Sequence, residues 1–243
     1  MRISFFPEIL FEIMGWPVSN TIISAWVAMA LLIVMGLFVR SRLKPVPGKM
    51  QNIVEALIEG MEGFMTTVTG DKEKTRKFFP LIATFFLFIL FSNWLGILPG
   101  VGSFTVGHGV HHVPLFRAPA ADLNFTLAFA VISVLVTNVL GAIAVGVRTH
   151  IGKYLNFTNP INFFIGILEI VSEVAKIISL SFRLFGNVFA GEVLLIIIFS
   201  LAPYVIPLPF LFLELFVGII QAFLFAMLTL VSISLHTAVH EQH

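Results

Sequence analysis

The chain contains no cysteine, which excludes disulfides, thiolate metal sites and cysteine nucleophiles. Charge is almost as scarce. Asp, Glu, Lys and Arg make up 11% of the 243 residues and their formal sum at pH 7 is +1, so no basic field is available to hold nucleic acid. No Gly-rich phosphate loop of the Walker type occurs, which excludes a nucleotide site of that kind. No period of 20 to 50 residues repeats. The inverted pair of broken helices common in secondary carriers is also missing, which argues against a carrier. Near the N-terminus no short apolar core precedes a small-residue cleavage site, so no removable signal peptide is expected. Neither a cofactor nor a metal site is indicated.

What the chain has is apolar length. Hydrophobic residues form 58% of it, Phe alone contributes 27, and the mean hydropathy is +1.02. Charged groups avoid hydrocarbon because losing their hydration costs several kcal/mol each, so few charges between long apolar runs mark an integral membrane protein. Crossing about 30 Å of hydrocarbon takes about 20 helical residues. Five segments qualify, at about 21–39, 79–98, 123–147, 161–201 and 210–236. The last two flank a turn containing Pro203, Pro207 and Pro209. They are longer than a perpendicular span requires, which predicts a long, tilted antiparallel hairpin. The expected fold is therefore all-α and polytopic, a single integral membrane domain over residues 1–243.

Basic residues predict the orientation, because Lys and Arg in short loops stay on the cytoplasmic side. Eight lie from Arg40 to Lys77, and Arg148 and Lys153 follow the third span, whereas the 99–122 loop has Arg117 alone. This places the N-terminus outside and the C-terminus in the cytoplasm. In segment 48–67, Ile53, Ala56, Leu57, Met61 and Phe64 recur at helical spacing among Glu55, Glu59 and Glu62. That pattern reads as an amphipathic helix on the cytoplasmic surface; a solvated cap is the alternative.

Polar residues inside the hairpin carry the chemistry, since an ionisable side chain facing lipid is costly. At 100° per residue, Glu169, Ser172, Lys176, Ser179 and Asn187 all fall within about 40° of Arg183 around the helix axis. The stripe from Glu169 to Asn187 is about 27 Å long and must face protein or water. Ser172, Glu173 and Lys176 are equally readable as glue between helices, with Glu169 or Lys176 reaching to the interface. Arg183 is different, because it stays protonated and has no carboxylate one turn away, so its partner must come from elsewhere. Glu192 lies about 180° around the helix from Arg183. Counted from the Pro-rich turn, Glu192 and Glu214 sit at similar shallow depth while Arg183 and Gln221 lie deeper. Carboxylates toward both ends with a fixed cation between them suggest two wet entrances that do not join.

The run SLSFRLFGNVFAGE, Ser179 to Glu192, resembles the signature of subunit a of F-type ATP synthases. The longer LEIVSEVAKIISLSFRLFGNVFAGEVL, the later QAFLFAMLTLVSISL, FSNWLGILPG at the end of the second span and ADLNFTLA at the start of the third are similar to that family in order and spacing. The resemblance covers most of the chain. It implies proton translocation through two offset half-channels at the face of a rotating c-subunit ring, coupled to ATP synthesis, with Arg183 meeting the ring carboxylates. It further implies Glu192, Glu214 and Gln221 at the outer half-channel, Asn187 beside the ring, and Glu169, Ser172, Ser179 and nearby Glu173 as candidates on the inner route. The implied partners are the c-ring, the peripheral stalk subunit b and membrane lipid, and the implied location is the bacterial plasma (inner) membrane. ATP itself would be handled by other subunits. Relatives with His at the position of Glu214, or with the acid and His exchanged between it and Glu192, differ from this chain, which has acids at both.

Three histidines, His108, His111 and His112, could bind metal, but an exposed loop is the simpler reading. Asp122 reads as the N-cap of the third span. His236, His240 and His243 read as interfacial, disordered C-terminal residues. The rival classes are a self-contained channel or carrier that needs no ring, and a structural anchor in which Arg183 would tolerate replacement.

Overall fold

The structure, a computed structural model, describes residues 8–97, 105–106, 113–154, 160–202 and 204–237. Five helices have the length and apolar composition to cross a membrane: α1 (Asn20–Ser41), α3 (Lys72–Ile97), α4 (Leu123–Val145), α6 (Pro160–Leu201) and α7 (Pro207–Thr237). Two more, α2 (Lys49–Thr69) and α5 (Val147–Tyr154), join them on the way. The protein is all-α and polytopic, as its apolar runs predict. Two small antiparallel hairpins, β1 (Ile9–Ile13) with β2 (Trp16–Ser19) and β3 (Thr105–Val106) with β4 (Val113–Pro114), carry no periodicity long enough to announce themselves in the sequence. The first turns at Met14 and Gly15, both at positive φ (51° and 83°), the geometry that matches the twist of paired strands.

Helix boundaries depart from the apolar runs where local chemistry overrides hydropathy. Helix α3 begins at Lys72 rather than near Phe79, so its first turns are charged. Helix α4 stops at Val145 because Gly146 takes a φ of 93°, and the chain re-enters helix as α5. Helix α7 starts at Pro207, not Phe210: Pro207 and Pro209 fit the first turn, where no helical N–H bond is lost. Asp122 caps α4 as expected, its carboxylate accepting from the Asn124 N–H at 2.9 Å.

Side-chain contacts fix how the helices run. Asn93 on α3 donates to the Gly218 carbonyl on α7 at 3.2 Å, while Phe78 and Ile82 pack with Ala226, Leu230 and Ile233, so α3 and α7 are antiparallel. Thr126 meets Ser181 at 3.1 Å and Asn138 meets Glu173 at 3.3 Å, which makes α4 and α6 antiparallel too. Ser133 and Thr229, 2.8 Å apart, set α4 parallel to α7. Helix–helix hydroxyl bonds of this kind each contribute about 0.6–2 kcal/mol in hydrocarbon. As a consequence, the Arg40–Lys77 stretch, α5 and the end of α7 gather at one end of the bundle, hereafter the basic end; the starts of α1 and α4 and the α6–α7 turn lie at the other. At about 63 Å, the 42-residue α6 is twice the hydrocarbon thickness.

Helix α2 packs its last turns on α3 and α7. Met65 is fully buried, and Phe64 meets Phe223 edge-on at 5.6 Å. Met50, Ile53 and Leu57 remain 75%, 58% and 69% exposed, so the apolar face predicted for this helix is uncovered over its first half.

The contact between α3 and the 3-10 turn Pro119–Ala121 depends on Gly96, where any Cβ would overlap Ala118. Replacing Gly96 with Val should destabilise the bundle by about 1–3 kcal/mol. The expected result is a lower thermal midpoint in detergent and less subunit in membranes; an unchanged midpoint would contradict this packing.

Candidate functional site

Helix α6 presents two faces of opposite character. Gly166, Glu173, Leu180, Ser181, Leu184, Val188 and Gly191 turn into the bundle. Ser172, Ser179, Arg183, Gly186, Asn187 and Ala190 are exposed on the other side. The Arg183 guanidinium lies 3.4 Å from the Ser179 hydroxyl, and Asn187 donates to the Arg183 carbonyl at 2.9 Å. Among the described residues no carboxylate comes within ion-pair distance of Arg183. The surrounding side chains are small, and a Cβ at Gly186 would meet nothing within 4 Å. Small residues flanking a charge let another helix approach the backbone closely.

Toward the α6–α7 turn, acids collect inside. Glu192 accepts from Arg117 Nε at 3.1 and 3.2 Å, one oxygen each. Arg117 is held in turn by its own backbone N–H, which donates to the Ser24 hydroxyl of α1 at 3.1 Å. Glu214 is buried, with its carboxylate pressed on Gly191 so closely that a Cβ there would overlap both oxygens. The two acids are therefore neighbours on facing helices, as their equal depth from the turn predicts. Gln221 is buried two turns further along α7. Between them α3 pins α7, through Asn93 on the Gly218 carbonyl and Trp94 on the Leu215 carbonyl at 3.3 Å. Asp122 also accepts from Thr21 at 2.9 Å, tying α1 to α4.

At the basic end a second polar cluster joins four helices. Glu169 pairs with Lys153 at 2.5 Å. Buried Glu173 lies 2.6 Å from Lys176 and 3.2 Å from His236 Nε2, and its other oxygen accepts from Asn138 at 3.3 Å. Asn138 Oδ1 accepts from Tyr154 at 2.7 Å and faces His150 Nε2 at 3.1 Å. Burial, with the Glu173 and Glu169 charges adding to it, pushes the Tyr154 hydroxyl up to about 12, so it stays a donor. Burial chiefly, then His236 and Lys153, holds His150 below its ordinary 6.5, against Glu173 and Glu169. Neutral His150 must then donate from Nε2, because an amide oxygen only accepts.

Two sequence expectations change here. His236 is buried within the bundle, not a disordered interfacial residue: it lies about 40° from Glu214 around α7, on the same inward face, because 22 helical steps bring it back there. Lys176 reaches Glu173 instead of the interface. His108, His111, His112, His240 and His243 lie outside the described residues. Sequence reasoning missed Arg117, His150, Asn138 and Tyr154 as partners. Arg117 is distinguishable only as the lone Lys or Arg of the 99–122 loop.

The family profile described as ATP synthase A chain matches residues 22–234. This chain belongs to the ATP synthase A chain family. Curated relatives agree. ATP synthase subunit a of Syntrophobacter fumaroxidans is 41% identical over 84% of this chain and 79% of its own. That of Geotalea daltonii is 38% identical over 88% and 86%, and that of Desulfosudis oleivorans 38% over 90% of each. Members of the ATP synthase A chain family are the proton-translocating membrane subunits of F-type ATP synthases and work within a larger complex. The chain is thus an integral membrane protein of ATP synthesis and proton transport.

Gly191→Ala should force Glu214 aside, cost about 1–3 kcal/mol of stability, and slow any step that uses the carboxylate by about tenfold, equivalent to about 1.4 kcal/mol. Proton flux in vesicles measures it; normal flux would mean the Glu214 position is free to shift. For His150, the depressed value means the unfolded chain binds the proton more readily. Its contribution is therefore complete above 6.5 and lost as pH falls below that value. Hydrogen exchange over α5, corrected for intrinsic rates, should quicken below pH 6.5. Equal protection on both sides of it would refute this.

Proposed function

We propose that this subunit carries protons through two offset half-channels that meet a rotating ring of c subunits, and so couples proton flow to ATP synthesis. The observation that supports this most directly is Arg183. It is a permanent cation in the middle of a spanning helix, on an exposed face with small neighbours and no carboxylate of the described chain beside it. Its counter-charge belongs to a partner, and carboxylates on a ring of helices supply one for every step of rotation.

The roles follow from position. Glu214 and Glu192, with Gln221 deeper, serve the outer half-channel, and Arg117 orients Glu192. Asn187 sits beside the ring. Glu169, Ser172, Glu173 and Ser179 serve the inner route. A proton entering past Glu214 and Glu192 neutralises a ring carboxylate, which can then turn into lipid, where an ionised carboxylate would be heavily desolvated. A carboxylate arriving from the other side gives its proton to the inner route and is attracted to Arg183. Fixed positive charge in a low dielectric repels any proton that would cross directly between the entrances. On this reading the basic end is cytoplasmic, the N-terminus is outside, subunit b packs alongside, and the membrane is the bacterial inner membrane.

Arg183→Ala in the assembled complex tests the proposal. ATP-driven pumping into vesicles should fall to background. Removing a barrier of about 3 kcal/mol should raise passive proton leak by about a hundredfold. Normal pumping with normal assembly would overturn the ring-facing role and leave a ring-free channel or an anchor.

A further inference from the structure

The polar cluster at the basic end contains a pair whose hydrogens do not close if a neutral imidazole faces an ionised carboxylate. His236 Nδ1 lies 2.8 Å from the Ser232 carbonyl oxygen, one turn back on α7. A carbonyl only accepts, so Nδ1 carries a hydrogen. In a neutral imidazole Nε2 then has a lone pair. That nitrogen is buried, sits 3.2 Å from Glu173 Oε1 and makes no well-formed hydrogen bond among the described residues. An ionised carboxylate also offers only lone pairs, and two lone pairs do not face each other at this distance without a proton between them.

We propose that Glu173 and His236 share one exchangeable proton and form a proton-accepting station on the inner route, reached from the Arg183 stripe through Glu169. The inference rests on the proton-translocating reading above. Glu169 lies on that stripe. One ligand atom each from Glu169, Glu173 and His236 fall within 4.8 Å of one another, a gap that one water spans. Side-chain exposure falls from 26% at Glu169 to 11% at Glu173 and 5% at His236, so the route leads from the wet face inward.

Every helix around the pair constrains it. On α6, Lys176 donates to the same Glu173 oxygen that faces His236, and Glu169 is held by Lys153. On α4, Asn138 donates to the second oxygen of Glu173 and to the Val134 carbonyl, while its own oxygen is taken by Tyr154 and His150. Fully committed, Asn138 orients Glu173 but passes no proton. On α5 the His150 ring lies 6.0 Å from that of His236, and a second proton on His150 would repel one held there. Gly141 leaves room for both rings, since a Cβ at that position would crowd His236 and His150.

The test is the pH profile of ATP-driven pumping by the assembled complex in inverted vesicles, with pH varied on the side of the basic end. A station must both take and release its proton, so pumping should fall away where the pair is always protonated or always empty. Glu173→Gln and His236→Gln should each slow pumping several-fold and flatten this profile. The double variant should be no worse than either single one, because both remove one shared proton. Exchanging the residues, Glu173→His with His236→Glu, should restore the profile. Should the Gln variants fail to assemble, Glu173→Asp keeps the charge and lengthens the gap, and a shifted profile is expected. Unmodified profiles in correctly assembled variants, or single losses that multiply in the double variant, would overturn the station. Arg183→Ala run in parallel separates the two readings: if it abolishes pumping while these variants keep the unmodified profile, the station alone fails.

Discussion

An ionised side chain in hydrocarbon must meet an opposite charge, a hydrogen-bond donor or water, because bare transfer from water costs several kcal/mol or more. Helix α6 carries five such groups: Glu169, Glu173, Lys176, Arg183 and Glu192. Four are answered inside the chain. Lys153 of α5 meets Glu169, Lys176 and His236 meet Glu173, and Arg117 meets Glu192. Much of the remaining architecture holds these answers in place. The turn at Gly146 brings α5 back under α6, the close approach of α5 to Gly166 keeps Lys153 within reach, and the Ser24 hydroxyl of α1 fixes Arg117. Among the described residues Arg183 is the exception, and an exception of that cost on a spanning helix argues for a partner surface.

The same constraint explains where glycine is required. Gly191 lets the Glu214 carboxylate lie against the α6 backbone, and Gly141 admits two imidazole rings between α4 and α7. A methyl group at either position would collide with the side chains packed there. Gly186, by contrast, stands in open space on the Arg183 face. Its lack of a side chain is unused among the described residues.

Sequence and structure agree where one physical rule dominates. Span existence follows from apolar length, and all five spans are found. The separation of Arg183 from Glu192, and the shared depth of Glu192 and Glu214, follow from 100° per residue and the Pro-rich turn. Agreement fails where a contact joins residues far apart in the chain. Arg117 and Glu192 are 75 residues apart, and Asn138 and Glu173 are 35; no periodicity encodes such pairs. His236 is a different kind of miss. Its place on the Glu214 face follows from the helical wheel, because 100° per residue returns it to within about 40° of Glu214. Helix α5 was hidden because its eight residues are mostly polar and too few for a periodic signal.

That last pair of misses bears on how a membrane helix hairpin differs from a soluble one. In water, the basic end could solvate Glu169, Glu173, Lys176 and His236 separately, and α5 would be an optional cap. Near hydrocarbon, each group must be met locally, so an eight-residue helix with His150, Lys153 and Tyr154 on it becomes the element that lets Glu169 and Glu173 sit near the start of α6. These two acids are therefore inseparable from α5 and the end of α7. A change in either helix that left the apolar spans intact would still alter what charge α6 can carry within its first four turns.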